Sequence, residues 1–488
     1  MIPNEVIDQH GPSVAGMAQL TRNGRLSAFK AYDIRSIYGQ DLTDELAYWV
    51  GRALPTLFLR GCEAERRARV LVGRDMRVSS SALATALIRG LTEAGADVLD
   101  LGLATTPMVY FFTAEGDGLG PIPDGSVMVT ASHNPKEYNG LKVSLRDAKP
   151  CGYEFGLREV EQAILAGTVP AAADKPGRVE YFPEAQTRYV AWLRAHTFNC
   201  AQIETLRFAV DCSDGAAGLF ARELFGPHAM YLDDIPDGTF PHHGPNPLEP
   251  ENRAELAQVV RAHGLDLGIL FDGDADRVAF IDAEGHFVPP DAMIALFARH
   301  LGKTRETVVH DVRTSRGVIE TLRESGFEPL MVKVGAAFAK TALRERHGLC
   351  GGEVAGHYYF RDFHYCDSGA FAACLALGIL ARAKAQGASL AGLLEPIISR
   401  YVSSGEVNIG GVEDRAAAVA AVEAAITQLK GPPTARIDFD GVRLDWADGW
   451  FGVRASNTEP ILRLAGEARS AEALEALLTC AKHALGRA

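Results

Sequence analysis

The stretch "RVLVGRDMRVSSSALATALIRGLTEAGADVLDLG" (residues 69–102) decides the class of fold. "RVLVG" and "DVLDLG" at its ends are apolar runs of strand length. Between them "SSALATALIRGLTEAG" carries apolar residues at helical spacing and stops at Gly95, a residue type that ends helices. This is a βαβ unit. Working outward, the rhythm returns twice: "RFAVDCS" (207–213) and "LDLGILFDG" (265–273) flank one helical stretch. Further on, "TVVHDV" (307–312), "PLMVKV" (329–334) and "GLCGGEV" (348–354) alternate with "SRGVIETLRESG" and "AAFAKTALRER". Three α/β domains with mixed sheets are implied. The C-terminal part differs in style. "EVNIGG", a long helical run, strands around "RIDFDGVRLDW", "WFGVRAS" and "PILRLAGEA", and a last helix predict an antiparallel sheet with helices on one side. A smaller α+β domain therefore closes the chain.

Composition bounds the function. At 488 residues, with 47% hydrophobic and 23% charged residues, this is a folded soluble chain of two to four domains. No window reaches the roughly 18 apolar residues of a membrane span. The first 25 residues lack the charged start and apolar core of a secretory signal and read as a loose extension. A net charge of −13 argues against a general nucleic-acid binder, whose affinity is built from neutralised phosphates. Eight cysteines (Cys62, Cys151, Cys200, Cys212, Cys350, Cys366, Cys374, Cys480) form no CxxC pair, which predicts buried free thiols in a reducing compartment.

Four loops carry residues suited to chemistry. In "LGILFDGDADRVAFID" (267–282) an apolar strand runs into Asp272, Asp274 and Asp276, a crowd of hard oxygen donors that suits Mg²⁺. An EF-hand fails, because the sixth position is Arg277 and the twelfth is Ala283; an acidic turn without metal remains open. In "VMVTASHNPKEYNGLKV" (127–143), Ser132 has His133 beside it and Lys142 after a turn that Gly140 allows. A serine that carries a phosphoryl group needs a metal and positioned cations, and a lysine with a depressed pKa serves as general acid/base. An N-cap serine and a surface lysine fit the same residues. In "CGGEVAGHYYFRD" (350–362), Glu353 and His357 fit a loop that reads sugar hydroxyls, or a solvated acid and a packed imidazole. In "VRASNTEPILRL" (453–464), Arg454, Ser456, Asn457 and Thr458 offer the donors a phosphate dianion takes, although such residues also dominate turns.

All four loops in this order, with "FKAYDIRSIYG" (29–39), "PDGTFPHHGPNPLEPEN" (236–252) and "KVG" (333–335), resemble the α-D-phosphohexomutase superfamily, most of all bacterial phosphomannomutase/phosphoglucomutase. The resemblance covers nearly the whole chain. It implies a heart-shaped enzyme in which three similar α/β domains and the C-terminal α+β domain each give one loop to a central cleft. An extension over residues 1–25 precedes domains over 26–180, 181–286, 287–400 and 401–488.

On that resemblance, Ser132 is a phosphoserine, and Mg²⁺ is held by Asp272, Asp274, Asp276 and an oxygen of phosphorylated Ser132. Arg35, His133 and Lys142 lie near the transferred phosphoryl group, with Lys142 as general acid/base, and Arg277 braces the loop. Tyr32 lines the entry, Glu353 and His357 contact the sugar, and Arg454, Ser456, Asn457 and Thr458 hold the second phosphate. The implied reaction interconverts hexose 1-phosphate and 6-phosphate, of mannose, glucose or both, through a reorienting 1,6-bisphosphate. Glucose 1,6-bisphosphate or mannose 1,6-bisphosphate is the implied activator, and a cytoplasmic monomer or weak homodimer, with no nucleic acid or membrane partner, is expected.

Three positions depart from the family pattern: Ala355 where the sugar loop has Ser, Ala336 where a His often follows "KVG", and Arg313 where Lys is common. The first two leave the choice between glucose and mannose open; Arg313 keeps charge but changes geometry. Phosphoglucosamine mutase is the alternative within the superfamily, and its usual GEQSGH and S-G-T-E-P loops differ from Val354, Ala355 and Asn457 here. A phosphoserine-dependent sugar phosphatase would share Ser132 and a metal but has no use for the "RASNTEP" loop.

Overall fold

The computed structural model describes residues 21–22, 24–62, 66–116, 118, 120–197, 203–455 and 461–487. The chain packs as two compact units, one of residues up to 286 with 366–378, the other of 287–365 with 379 onward.

In the first unit, β1 (Ile34–Ile37), β2 (Arg69–Arg74), β3 (Asp97–Leu103), β4 (Gly125–Val129), β5 (Tyr138–Leu145) and β6 (Val179–Tyr181) form a mixed sheet of order β1-β5-β4-β2-β3-β6. Helices α1 (Asp44–Phe58) and α2 (Ser80–Glu93) share its core, with Leu54, Leu87, Val70, Val72, Val127 and Val129 all buried. The βαβ unit read from residues 69–102 is β2, α2 and β3, with the strands parallel as a helical crossover requires. A second sheet holds β7 (Phe208–Asp211), β8 (Met230–Leu232), β9 (Leu267–Phe271) and β10 (Val278–Ile281) in the order β8-β7-β9-β10.

In the second unit, β11 (Thr307–Asp311), β12 (Glu328–Val332), β13 (Cys350–Gly352) and β14 (Tyr358–Phe360) run in the order β12-β11-β13-β14. Helices α3 (Arg316–Glu324) and α4 (Ala336–Arg346) make the crossovers. Strands β15 (Val402–Ser403), β16 (Val407–Ile409), β17 (Ala435–Ile437), β18 (Val442–Trp446), β19 (Gly449–Ala455) and β20 (Leu462–Ala468) then form an antiparallel sheet of order β15-β20-β19-β18-β17, with β16 also on β20. Helices α5 (Arg415–Lys430) and α6 (Ala471–Ala484) bury Val422, Ile426 and Leu477 against Leu444, Phe451, Val453 and Leu464 of that sheet.

The first three sheets repeat one topology that the residues do not reveal. A central strand (β2, β7, β11) has its successor parallel on one side and the third strand parallel on the other. A fourth strand returns antiparallel beside the third. The loops at Ser132, Asp272 and Glu353 are all the turn from third strand to fourth.

Among the described residues no helix is long and apolar enough to cross a membrane. Cys151, Cys212, Cys350, Cys366 and Cys374 are buried thiols in no disulfide, as expected; Cys480 is half-buried and Cys62 exposed, against expectation, and Cys200 lies outside the described residues. Cys62 follows the end of α1, where the chain turns over the surface. The expected extension lies outside the described residues up to position 20; Thr21–Arg22 pairs with Arg25–Leu26, and the Leu26 amide donates to Glu161 Oε1 at 2.7 Å.

Candidate active site

In the first unit, Ser132 and the three aspartates meet. Ser132 sits just past β4, 2% exposed and at φ 53°, a left-handed conformation that a serine adopts only where the surroundings impose it. Two contacts impose it: its amide donates to Thr130 Oγ1 at 2.9 Å and its carbonyl accepts from Arg77 Nη2 at 2.7 Å. The result aims the hydroxyl at Asp272 Oδ2, 2.8 Å away, with His133 Nδ1 at 3.3 Å from the same oxygen. The Asp272 loop comes this close because residue 273 is glycine; a Cβ there would stand 2.6 Å from the Ser132 carbonyl oxygen.

Asp272, Asp274 and Asp276 are at most 1% exposed, and one oxygen of each lies within 4.8 Å of the others, an arrangement that can hold a metal ion. Burial, and then the charges of Asp276 and Asp274, push Asp272 well above the usual carboxylate range. Asp274 Oδ1 is buried and accepts no hydrogen bond, while Oδ2 takes the Thr106 hydroxyl. Arg277 contributes its backbone amide to Asp272 Oδ1 at 3.1 Å, and its Nε is 3.9 Å from Oδ2.

Lys142, on β5, reaches Asp274 Oδ2 at 2.6 Å and Asp276 Oδ2 at 2.5 Å. Two expectations are corrected here. Burial lowers the Lys142 pKa, but Asp274 and Asp276 outweigh it, so the amine is held charged instead of having its pKa depressed. Gly140 is not in a turn; it lies within β5, where a Cβ would meet the carbonyls of Ile34 and Thr130 at 2.5 and 2.8 Å. The turn itself is closed by the Tyr138 amide on Pro135 O. Arg35, on β1 opposite Gly140, donates to Ala131 O at 3.1 Å and Asn134 Oδ1 at 2.8 Å, and pairs with Asp33 at 2.5 Å. Tyr32 is half-buried in the turn before β1.

In the second unit, Glu353 follows β13, 2% exposed, and its Oε1 accepts from the Tyr359 hydroxyl at 2.5 Å. His357, 7% exposed, stacks on Tyr359 at 6.0 Å between ring centroids. Arg313 grips Asp311 (2.6 Å) and reaches Glu353 (3.7 Å) and Glu406 (3.3 Å). Glu406 also takes Arg454 (2.9 Å) and Arg463 (3.5 Å), so Arg313 ties the Glu353 loop to the strand that carries Arg454. Ser456, Asn457 and Thr458 lie outside the described residues; Ala355 and Ala336 are half-buried.

Sequence reasoning passed over several of these groups. Arg77 is 1% exposed, and its guanidinium donates to the carbonyls of Ser132, Asn134, Pro135 and Tyr138 while its Nε pairs with Asp75 at 3.2 Å. Asp75 in turn takes the hydroxyls of Ser80 and Thr130. The signal was "DMRVSS", an acid and a base two apart just past a buried strand. Glu406 and Tyr359 carried none.

Family models for phosphoglucomutase/phosphomannomutase match along the chain: alpha/beta/alpha domain I over residues 26–169, domain II over 187–285, domain III over 289–401 and the C-terminal domain over 407–479. A "Phosphohexose mutases" protein of Xanthomonas campestris pv. campestris is 38% identical over 456 residues, 92% of this chain and 96% of that one. A phosphomannomutase/phosphoglucomutase of Pseudomonas aeruginosa is 34% identical, covering 94% and 95%. The crystal structure of a phosphoglucomutase/phosphomannomutase family protein from Burkholderia thailandensis matches with a TM-score of 0.80 at 30% identity, over 94% of this chain and 97% of that one. Fold and relatives together define a hexose phosphate mutase, an isomerase that works by phosphoryl transfer. The chain belongs to the phosphoglucomutase/phosphomannomutase family.

Proposed function

We propose that the chain interconverts the 1- and 6-phosphates of mannose, glucose or both, through a phosphoserine at Ser132 and a 1,6-bisphosphate that reorients between two transfers. The observation that carries this is the Ser132 hydroxyl, buried and held 2.8 Å from Asp272 by a strained backbone. In the first transfer the bond from Ser132 Oγ to phosphorus breaks as the free sugar hydroxyl bonds to phosphorus and loses its proton. The second transfer is the reverse, from the other end of the sugar. Lys142 is the general acid/base: its ammonium gives a proton to the released Ser132 Oγ, and the amine takes the proton that the sugar hydroxyl loses, while His133 Nδ1 lies 3.3 Å from Oγ. Arg35 and Arg277 add positive charge and steady the two loops.

Mg²⁺ fits Asp272, Asp274, Asp276 and an oxygen of phosphorylated Ser132, because the donors are hard oxygens and Asp274 Oδ1 is buried without a partner. When bound it offsets the charge on the phosphoryl oxygens. Glu353 and His357 read the sugar, Arg454, Ser456, Asn457 and Thr458 hold the phosphate not in transfer, and Tyr32 lines the entry. A hexose 1,6-bisphosphate primes Ser132. The domains extend over 26–180, 181–286, 287–400 and 401–488, in a cytoplasmic monomer or weak homodimer.

The test is a mutase assay with mannose 1-phosphate, glucose 1-phosphate and glucosamine 1-phosphate, in Mg²⁺ and trace glucose 1,6-bisphosphate. Mannose and glucose 6-phosphates form, EDTA stops turnover and Mg²⁺ restores it, and Ser132→Ala loses at least about 10³-fold in kcat. Turnover of the glucosamine ester alone makes the enzyme a phosphoglucosamine mutase. Release of inorganic phosphate with no isomer makes it a phosphatase and overturns the reorientation.

A further inference from the structure

The Glu353 loop contains no anchor for its own carboxylate. Val354, Ala355 and Gly356, the residues between Glu353 and His357, carry no polar side-chain atom. Backbone bonds close the loop, from Glu353 N to His357 O and from Gly356 N to Glu353 O, each at 3.0 Å, but they leave the side-chain torsions of Glu353 unfixed. Arg313 Nη2 is 3.7 Å from Glu353 Oε2, an ion pair beyond hydrogen-bond reach. Among the described residues, the one side chain that donates a hydrogen bond to Glu353 is Tyr359, whose hydroxyl lies 2.5 Å from Oε1. This is the length of a strong bond from a hydroxyl to a carboxylate.

Tyr359 is itself held by the strand it stands on. Side chains alternate along β14, and Tyr358 and Phe360 face the helix over Pro290–Leu301, their ring centroids 5.1 and 5.7 Å from that of Phe297. Tyr359 faces the other way, fully buried with Val309 of β11 and with Ala339 and Leu343 of α4. A ring enclosed by a packed core keeps one orientation, so its hydroxyl is a fixed point. The same ring stacks on His357 with the two planes 15° apart. One side chain out of reach of any substrate thus touches both Glu353 and His357.

We propose that Tyr359 is a positioning residue for sugar recognition, which fixes the Glu353 carboxylate through Oε1. The proposal rests on the reading that Glu353 contacts the sugar. With Oε1 held, the remaining lone pairs of the carboxylate point in set directions and meet sugar hydroxyls without further ordering. Without the phenol hydroxyl, binding has to order Glu353 as well, a loss of up to about tenfold in affinity. The sugar contact is made before and during phosphoryl transfer alike, so the loss falls on KM and not on kcat.

Tyr359→Phe removes one oxygen and keeps the ring, the core packing and the His357 stack. This variant, Glu353→Gln and the double variant are compared with the parent chain in two ways: calorimetry with glucose 6-phosphate and with inorganic phosphate, and KM and kcat for glucose 1-phosphate and mannose 1-phosphate. Tyr359→Phe weakens glucose 6-phosphate and raises KM by about tenfold, while kcat and the affinity for inorganic phosphate stay within about twofold. In the Glu353→Gln background the same change costs less than about twofold, because Tyr359 acts through Glu353. Unchanged binding of glucose 6-phosphate by Tyr359→Phe, or a loss of equal size with and without Glu353, overturns the proposal; so does a lowered melting temperature with KM unmoved, the mark of a hydroxyl that serves stability alone. A parent chain that binds glucose 6-phosphate but isomerises neither ester overturns the mutase reading instead, and the calorimetric cycle still decides the role of Tyr359. A parent chain that binds no hexose phosphate overturns both.

Discussion

Arg77 lies beneath the Ser132 loop, 1% exposed, with four loop carbonyls and Asp75 around its guanidinium. Arg77→Met leaves the Asp75 carboxylate buried without its cation and four acceptors unfilled, at a cost of about 3–5 kcal/mol in urea unfolding. Arg77→Lys keeps the charge but not the fork, so it recovers part of the stability and little of the kcat. Asp124 makes a different prediction. Burial raises its pKa, but hydrogen bonds from Arg66, the Arg69 amide and Arg146 outweigh this and hold it at about 2. The folded value lies below the unfolded one of about 3.9, so the stabilisation is present above that pH and is lost as pH falls towards 2. Melting of Asp124→Asn against the parent chain shows a gap at pH 7 that closes between pH 4 and 2. The aspartates at 272, 274 and 276 were legible because like charges at alternating positions demand a counter-cation. Arg77 was not, because a buried arginine is recognised by its acceptors, and those are backbone carbonyls that no residue type announces.

At the scale of elements, one device recurs. Asp75, Asp211 and Asp311 stand at the end of the central strand of each α/β sheet, and each accepts the amide of the residue two further on: Arg77, Ser213 and Arg313. The kinship among the three sheets is therefore one of strand order and of these turns, and the sequence around them differs too much to show it. The loops at Ser132, Asp272 and Glu353 inherit their position from that shared order, each on the turn from third strand to fourth. Gly273→Ala tests how closely two such loops must approach. Its Cβ would meet the Ser132 carbonyl at 2.6 Å, so the loops separate; circular dichroism stays native and kcat falls by about 10²-fold, the cost of a misplacement near 1 Å.

Over the whole molecule, the cysteines report how completely each unit encloses its core. Burial pushes the Cys151 thiol up to about 12, and Cys212 and Cys350 are likewise raised, so all three are thiols at any working pH. A disulfide reagent applied to the native chain labels exposed Cys62 at once, and Cys151, Cys212 and Cys350 only after denaturant is added; early labelling of those three contradicts the packing described. The sequence by itself determined the element types, three α/β domains followed by an α+β domain, and the loops worth watching. Those depend on periodicity and turn chemistry within a few tens of residues. Only the tertiary structure decided that the Ser132 hydroxyl meets Asp272, 140 residues away along the chain, and that Lys142 is held charged by Asp274 and Asp276. The reason is physical: a pKa is set by the groups that surround a side chain in space, and for Lys142 those groups come from another sheet.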